Sequence, residues 1–495
     1  MLDTNNFFHA TRIVEGYGVL KTVGEECNHL GFKKVLVITD SFLASSEHYK
    51  VLKDSLDKEN VVNYLLTNVK PNPRAEDCDE MAAFAKENHV DALIALGGGS
   101  AMDQAKAVGA VVTNGKTTIE WGDTELEKKI LPLICIPTTS GTGAEVTWCA
   151  VITDTKRQYK MTVGDPVHMI PTLAICDPEI TLGLPKSLTA SCGVDALTHC
   201  IEAYTVQVHQ PITDALALKG ISMISENLEK AYNDGSDRNA RRNMMIASTI
   251  GGMSFISSNV GAVHAFAETV GAWFDTPHGV ANSLFLPYVM EYNIPACPER
   301  FVDIACAMGL KREDGMTDEE YALKTVEYVK ALNRKLNIPT IERADFLGEL
   351  TRCYKDTICI SGTHGKTTTT SMISLCFLEA LKDPSIQVGA FLKAIDGNYR
   401  VGNSEHFVIE ACEYVESFLK FSPKAEIILN IDNDHLDYFK TFENIKKAFV
   451  KYVKLLPNDG LLVINGDDKN CLDLPQYTNA KVITYGIENI NADFV

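Results

Sequence analysis

From Lys33 onward the chain alternates short apolar runs with longer stretches of helical period. KKVLVITD, VNYLLTNV and DALIALGGGS are rich in Val, Ile and Leu and end in polar or glycine residues, with helix-like segments such as AAFAKENHV between them. That alternation predicts a parallel sheet covered by helices, and ILPLICIPTT and TLAICDP carry it to about Leu184. After Pro185 the period becomes almost wholly helical, in runs such as DALTHCIEAYT and DEEYALKTVEYVKALNRKL. A second α/β region then begins: TICISG, EHFVIEAC, AEIILNI and GLLVINGD read as strands, TTTTSMISLCFLEAL and FENIKKAFVKYVKLL as helices. The expected organisation is an α/β domain over 1–184, a helical domain over 185–350 and a further α/β domain over 351–495.

Composition narrows the function classes. A chain of 495 residues, 45% hydrophobic and 22% charged, can bury several cores. A net charge of -19 repels a phosphate backbone, and no Lys/Arg cluster offsets it, so nucleic acid is not an expected partner. The opening MLDTNNFFHATRIVEGYG lacks a basic segment followed by an apolar one, and no apolar stretch is long enough to span a bilayer. A soluble, cytoplasmic protein is expected, away from membranes. The 14 cysteines include no C-x-x-C pair, and Cys135 and Cys176 lie in apolar runs, which suits reduced, buried thiols.

Two loops point to a nucleotide. In LIALGGGSAMDQAKAV a strand runs into three glycines and a serine, then into a helix, where a backbone can approach a pyrophosphate and the helix N terminus favours its charge. An ordinary strand-to-helix turn has the same local sequence. A second polar loop after a strand, PTTSGTGAE, supports a nucleotide lying across two strand ends. Asp40 closes VLVITD, where a carboxylate can accept from a ribose hydroxyl and would repel a 2'-phosphate, favouring NAD over NADP; a solvated turn aspartate is the alternative.

The helical region offers metal donors. Asp195 and His199 stand four apart in CGVDALTHCIEAY and so share a helix face. His264 lies among small apolar residues in GAVHAFAETVG, and His278 follows in DTPHGVANSLF. One carboxylate with three imidazoles suits Fe(II) or Zn(II), and the sequence leaves both open. Such an ion would act as a Lewis acid on an alcohol or carbonyl oxygen while hydride passes to or from a nicotinamide.

On GGGSAMDQAKA, PTTSGTGAEVT, KSLTASCGVDALTHCIEAY, the HA step at His264 and PHGVANSLFLPYVMEYN, residues 1 to about 350 resemble the iron-containing, group III alcohol dehydrogenases. The resemblance implies a Rossmann-like NAD-binding domain followed by an all-helical metal-binding domain. It implies metal ligation by Asp195, His199, His264 and His278, and NAD contacts at Asp40, Asn72, Gly97, Gly98, Gly99, Ser100, Asp103, Thr138, Thr139, Thr142 and Lys160. It further implies a small alcohol or aldehyde substrate and a homodimer or larger assembly. His278 and Glu268 are the catalytic candidates. Glu268 departs from the family, many of whose members carry a histidine at that place to relay the alcohol proton; a carboxylate there could accept the proton or serve in a structural ion pair. The family's last helical stretch, with its Asn-Pro-Arg signature, does not follow ERADFLGEL, which predicts an uncovered apolar face.

The third region holds ICISGTHGKTTTTSM, with spacing G-x-x-G-K-T and Ile360 where the general phosphate loop has its first glycine. Lys366 at a helix start could meet a terminal phosphate and Thr367 could ligate magnesium. Downstream, Glu410 ends one strand, and Asp434, His435 and Asp437 follow another; these read either as magnesium ligands or as polar strand-end loops. Together these segments resemble the ATP-binding central domain of the Mur ligases, most closely UDP-N-acetylmuramate-L-alanine ligase of peptidoglycan synthesis. The resemblance spans about 352–495 and implies a truncated P-loop-type α/β domain. It places ATP at Gly362, Thr363, His364, Gly365, Lys366, Thr367 and Thr368, and magnesium near Thr367, Glu410 and His435. The family's UDP-sugar domain is replaced by the dehydrogenase-like part and the sequence stops at NADFV, so complete ligase chemistry is not expected. The leading expectation is an NAD-linked, metal-dependent alcohol dehydrogenase; an ATP-dependent ligase and an inactive fusion of two enzyme fragments are the other readings.

Overall fold

The computed structural model describes residues 6, 7, 9–122, 124–157, 159–274, 276–338 and 343–495. The chain divides into two compact units, Met1–Thr340 and Ile341–Val495. Among the described residues no helix is long and apolar enough to cross a membrane.

The first unit opens with a six-stranded sheet built from β1 (Arg12–Glu15), β2 (Lys34–Ile38), β3 (Val62–Leu66), β4 (Ala92–Gly97), β5 (Leu133–Pro137) and β8 (Leu173–Cys176). Its order is β1-β8-β5-β4-β2-β3, every pair parallel. β4 and β5 are buried at every position, as parallel strands covered by helices on both faces must be. From β2 the chain steps outward to β3 and returns on the other side of β2 as β4. This reversal opens a crevice at the carboxyl ends of β2 and β4, the place where such sheets take ligands. In register, Gly97 of β4 stands opposite Pro137 of β5, so the two polar loops leave the sheet at one level. An antiparallel pair, β6 (Cys149–Asp154) and β7 (Tyr159–Gly164), stands apart from this sheet. The sequence reading had no strands there.

The helices Lys186–Thr205, Pro211–Asn233, Arg238–Phe255, Ala262–Phe274, His278–Asn293, Pro298–Ala307 and Asp318–Lys335 pack around a core that includes Leu197, Ile221, Leu286, Phe301 and Val329. The loop after β5 reaches this helical layer through a contact only glycines allow. A Cβ on Gly143, at φ +61°, would lie 2.6 Å from the Gly252 Cα, and one on Gly252 would lie 2.6 Å from the Gly143 oxygen. Trp148 Nε1 donates to the Ile256 oxygen at 3.0 Å, fixing the same approach.

The second unit holds a seven-stranded sheet of order β11-β10-β12-β9-β13-β14-β15. Its strands are β9 (Asp356–Ser361), β10 (Ser385–Leu392), β11 (Gly397–Arg400), β12 (His406–Glu410), β13 (Ala425–Ile428), β14 (Leu461–Asn465) and β15 (Lys481–Tyr485), all parallel except β11. The helix Arg343–Arg352 belongs here, whereas the sequence reading ran the helical domain on to residue 350. Leu347 enters the core beside Phe418 and Phe421, and a Cβ on Gly348 would stand 2.4 Å from the Lys420 oxygen. Lys420 pairs with Asp345 at 2.8 Å, and Ser422 N donates to Thr351 Oγ1 at 2.9 Å. Amphipathic period identifies the helix but not which neighbour buries it.

Candidate active site

Three helices bring the metal-donor candidates together. Asp195 and His199 project one turn apart from Lys186–Thr205, His264 lies in the first turn of Ala262–Phe274, and His278 opens His278–Asn293 behind Pro277. The last helix seats closely against the first because residue 279 is glycine, where a Cβ would fall 2.4 Å from the Ser191 oxygen. Each of the four side chains offers one donor atom, and all four atoms lie within 4.8 Å of one another. His264 Nε2 is 3.0 Å from His199 Nε2 and 3.9 Å from Asp195 Oδ1, and His278 Nε2 is 3.6 Å from the same oxygen.

Burial favours open lone pairs on two of the three rings. Burial pushes His199 down to about 3 and His278 down to about 4, so both rings are neutral at physiological pH. Burial alone would raise the Asp195 carboxyl, but whatever positive charge the adjoining imidazoles carry, with the Asn282 amide, outweighs it and holds it below its ordinary value. His264 is opposite in sign: burial lowers it, but the Glu202 carboxylate overrides that and raises it. Glu202, 3% exposed, sits 2.5 Å from His264 Nδ1 and accepts the Val263 N–H at 2.7 Å. A carboxylate on the far nitrogen fixes a ring's tautomer and leaves Nε2 free to ligate. The sequence reading missed Glu202. Its signal was the Glu of HCIEAY three residues after His199, a position any helix surface could occupy. Asn282 was missed as well; its amide nitrogen lies 2.6 Å from Asp195 Oδ1.

His199, His264 and His278 line a cavity of about 510 Å³ whose other walls come from both the sheet and the helical layer. Gly99, Ser100, Asp103 and Thr142 line it from the two strand-end loops, and Asn72 and Lys160 from the side. Gly99 is a cradle a side chain would fill, since a Cβ there would meet Thr142 Cγ2 at 2.8 Å. No side chain caps the Gly99–Asn114 helix at Gly98, and its first residues, Gly99 and Ser100, line the cavity. Lys160 Nζ donates to Asn72 Oδ1 at 2.8 Å. Burial pushes the Asp103 carboxyl up to about 6 against the opposing pull of Lys106, while its Oδ2 accepts the Val151 N–H at 3.0 Å. Glu268, one turn beyond His264, also lines the cavity, and burial raises its carboxyl above the ordinary range.

Other sequence candidates stand differently. Gly97 and Thr138 are joined by the Thr138 N–H to the Gly97 oxygen at 3.0 Å, and a Cβ on Gly98 would come 3.3 Å from Thr139 Oγ1. These residues shape the loops and are not among the cavity walls. Asp40 caps the helix Ser41–Ala44, its Oδ1 accepting from Phe42 N at 2.8 Å and Leu43 N at 2.9 Å. That is the turn role set against ribose recognition above.

In the second unit, β9 runs into Gly362 (φ +137°), Thr363, His364 and Gly365 (φ +87°), and Lys366 begins the helix that ends at Glu379. A Cβ on Gly362 would approach the Asn430 nitrogen to 3.1 Å. Lys366 Nζ turns back over the loop, donating to the Gly362 oxygen at 2.7 Å and pairing with Glu413 at 2.9 Å. Thr367 Oγ1 donates to Glu410 Oε1 at 3.1 Å, and Thr368 follows on the same helix. His435 Nε2 lies 3.9 Å from Glu413 Oε1, with its ring against Tyr414. Glu413, which the sequence reading passed over, is thus the hub joining Lys366 to His435.

A sheet with an open switch-point crevice, facing a carboxylate and three imidazoles, defines a class of metal- and nucleotide-using oxidoreductases. By sequence, the chain belongs to the iron-containing alcohol dehydrogenase family: that family's profile matches residues 10–178 and the C-terminal profile of the Fe-containing alcohol dehydrogenases matches 189–343. The Mur ligase middle domain matches residues 360–495. The chain is 38% identical over 336 residues to choline dehydrogenase of Bacillus subtilis, covering 67% of this chain and 83% of that protein. It is 37% identical over 327 residues to alcohol dehydrogenase 4 of Saccharomyces cerevisiae (66% and 84%). It is 35% identical over 369 residues to lactaldehyde reductase of Escherichia coli (73% and 95%). In three dimensions it matches 1,3-propanediol oxidoreductase with a TM-score of 0.67 at 32% identity, over 70% of this chain and 92% of that one.

Proposed function

We propose that the first unit is an NAD-linked alcohol dehydrogenase interconverting small primary or secondary alcohols with aldehydes or ketones, its metal held by Asp195, His199, His264 and His278. The observation that carries this reading is the convergence of those four donors, three of which line one cavity together with Gly99 and Ser100 of the glycine loop. One carboxylate and three imidazoles without a thiolate suit Fe(II), the family's metal, with Zn(II) as the alternative. The uncapped helix N terminus at Gly98 and the cradle at Gly99 fit the diphosphate of a dinucleotide. When bound, ion and dinucleotide supply Lewis acidity at the substrate oxygen and a hydride acceptor, so that alcohol and NAD⁺ give the carbonyl product, NADH and a proton.

The chain's own residues bind, orient and move the proton. Gly97, Gly98, Gly99, Ser100, Thr138, Thr139 and Thr142 shape the cradle, and Asn72, Asp103 and Lys160 orient the dinucleotide across the cavity. Asp40, near the end of β2, disfavours a 2'-phosphate. Glu268, whose carboxyl burial makes more basic than usual, takes the alcohol proton and returns it in the reverse direction. A cytoplasmic homodimer or larger assembly is proposed with it, in keeping with 14 free cysteines. For the second unit, the Lys366 and Thr367 geometry supports nucleotide binding, with Gly362 to Thr368 around ATP phosphates and Thr367, Glu410 and His435 around magnesium. A complete amide-forming reaction is not part of this proposal.

Stripped protein reloaded with Fe(II) or Zn(II) is expected to oxidise NADH in the presence of short aliphatic aldehydes, followed by NADH absorbance. Folded, metal-loaded protein that leaves NADH untouched across that series would overturn the reading.

A further inference from the structure

We propose that Asn282 is a positioning residue of the metal site, its carboxamide holding the Asp195 carboxylate in ligating orientation by donating to Oδ1. The inference rests on the metal-site reading above. Asn282 lies one turn after His278 on the same helix and is 0% exposed. Its Nδ2 stands 2.6 Å from Asp195 Oδ1, 3.1 Å from His264 Nε2 and 3.2 Å from His278 Nε2. The Asp195 oxygen is the nearest of the three and accepts the amide hydrogen, and the two imidazole nitrogens stand just beyond it. Left to themselves, a buried carboxylate and convergent imidazole lone pairs repel one another.

Two further observations separate this role from ordinary helix packing. Asn282 Oδ1 is buried without a hydrogen-bond partner, so the side chain is held by its nitrogen alone. Turned over, the amide would set an oxygen against Asp195 Oδ1, two acceptors in contact, so the acceptors dictate its orientation. Like Asp195, Asn282 is also absent from the cavity walls, which keeps it beside the carboxylate and away from substrate.

Asn282→Leu removes the donor at similar volume, and Asn282→Ala removes it with less crowding. Metal-free wild type and variants are titrated with Zn(II) against a chromophoric chelator, and with Co(II), whose visible bands report ligand geometry. The expected result is a Zn(II) Kd raised roughly 10- to 100-fold, the range typical of groups that orient ligands, with altered Co(II) bands. A Kd within about twofold of wild type with unchanged bands overturns the proposal. Wild type that takes up neither ion overturns the metal reading with it, which keeps the two failures apart. Should neither variant fold, a crystal structure of Zn(II)-loaded wild type decides: the amide nitrogen still within reach of Asp195 supports the proposal, and an amide swung away overturns it.

Discussion

The two units hold charge away from water in opposite ways. In the first, one carboxylate and three imidazoles turn their lone pairs toward one point, and the natural complement is a cation. In the second, the cation is already supplied: the Lys366 ammonium, 14% exposed, is paired with the Glu413 carboxylate, 2% exposed, and Thr367 is bonded to Glu410. A site of convergent acceptors gains by taking an ion, whereas an internally neutral loop has to give up an ion pair before it can take a phosphate. A motif shows what a site could hold, and the pairing of its side chains shows what a ligand must displace.

The contrast is broken most directly at the acceptors. Asp195→Ala or His278→Ala is expected to empty the metal site and cut turnover by at least ~100-fold, read by metal analysis beside NADH kinetics. Full activity in either would remove the first half of the comparison. Next in size, Glu268→Gln should lower turnover roughly 100-fold while metal content stays at the wild-type level. Unchanged turnover would leave Glu268 with a structural role alone.

A third test concerns stability. The Asp103 carboxyl is raised from 3.8 to about 6, so the folded state holds its proton more tightly than the unfolded chain does. Ionisation therefore costs stability progressively from about pH 4 to pH 6 and by a constant amount above. Asp103→Asn should stabilise the protein by up to roughly 3 kcal/mol at neutral pH, and the gain should vanish near pH 4, as urea unfolding at both values would show. An equal gain at both would mean that charge burial is not its source. Last and smallest, Glu413→Gln frees Lys366 and should strengthen binding of a non-hydrolysable ATP analogue by up to about tenfold, measured calorimetrically. Weaker binding would mean that Glu413 helps the ligand and does not compete with it.

Much of this was legible in sequence because it is local. β2, β4 and β5 announce themselves as unbroken Val, Ile and Leu runs, since both of their faces are covered. The four donor candidates were legible through the spacing of Asp195 and His199, the small apolar setting of His264 and the family resemblance that joins them with His278. β6 and β7 escaped notice because CAVITD and YKMTVG bury alternate residues only, a weaker signal than a run. Glu202 and Asn282 escaped for a different reason: their meaning arises only when the Ala262–Phe274 and His278–Asn293 helices dock on Lys186–Thr205. Asp40 was legible as a strand-end carboxylate, but the backbone it caps was not.

The helix Arg343–Arg352 decides where the polypeptide can be divided. A fragment starting at the first strand of the second unit would lose Leu347 from its core and the Asp345 partner of Lys420, baring apolar surface around Phe418 and Phe421. One that starts just ahead of Arg343 takes its own cover along. The seam in this gene product therefore lies upstream of the recognisable motif, and a module's working edge is set by its packing rather than by the first residue that looks like it.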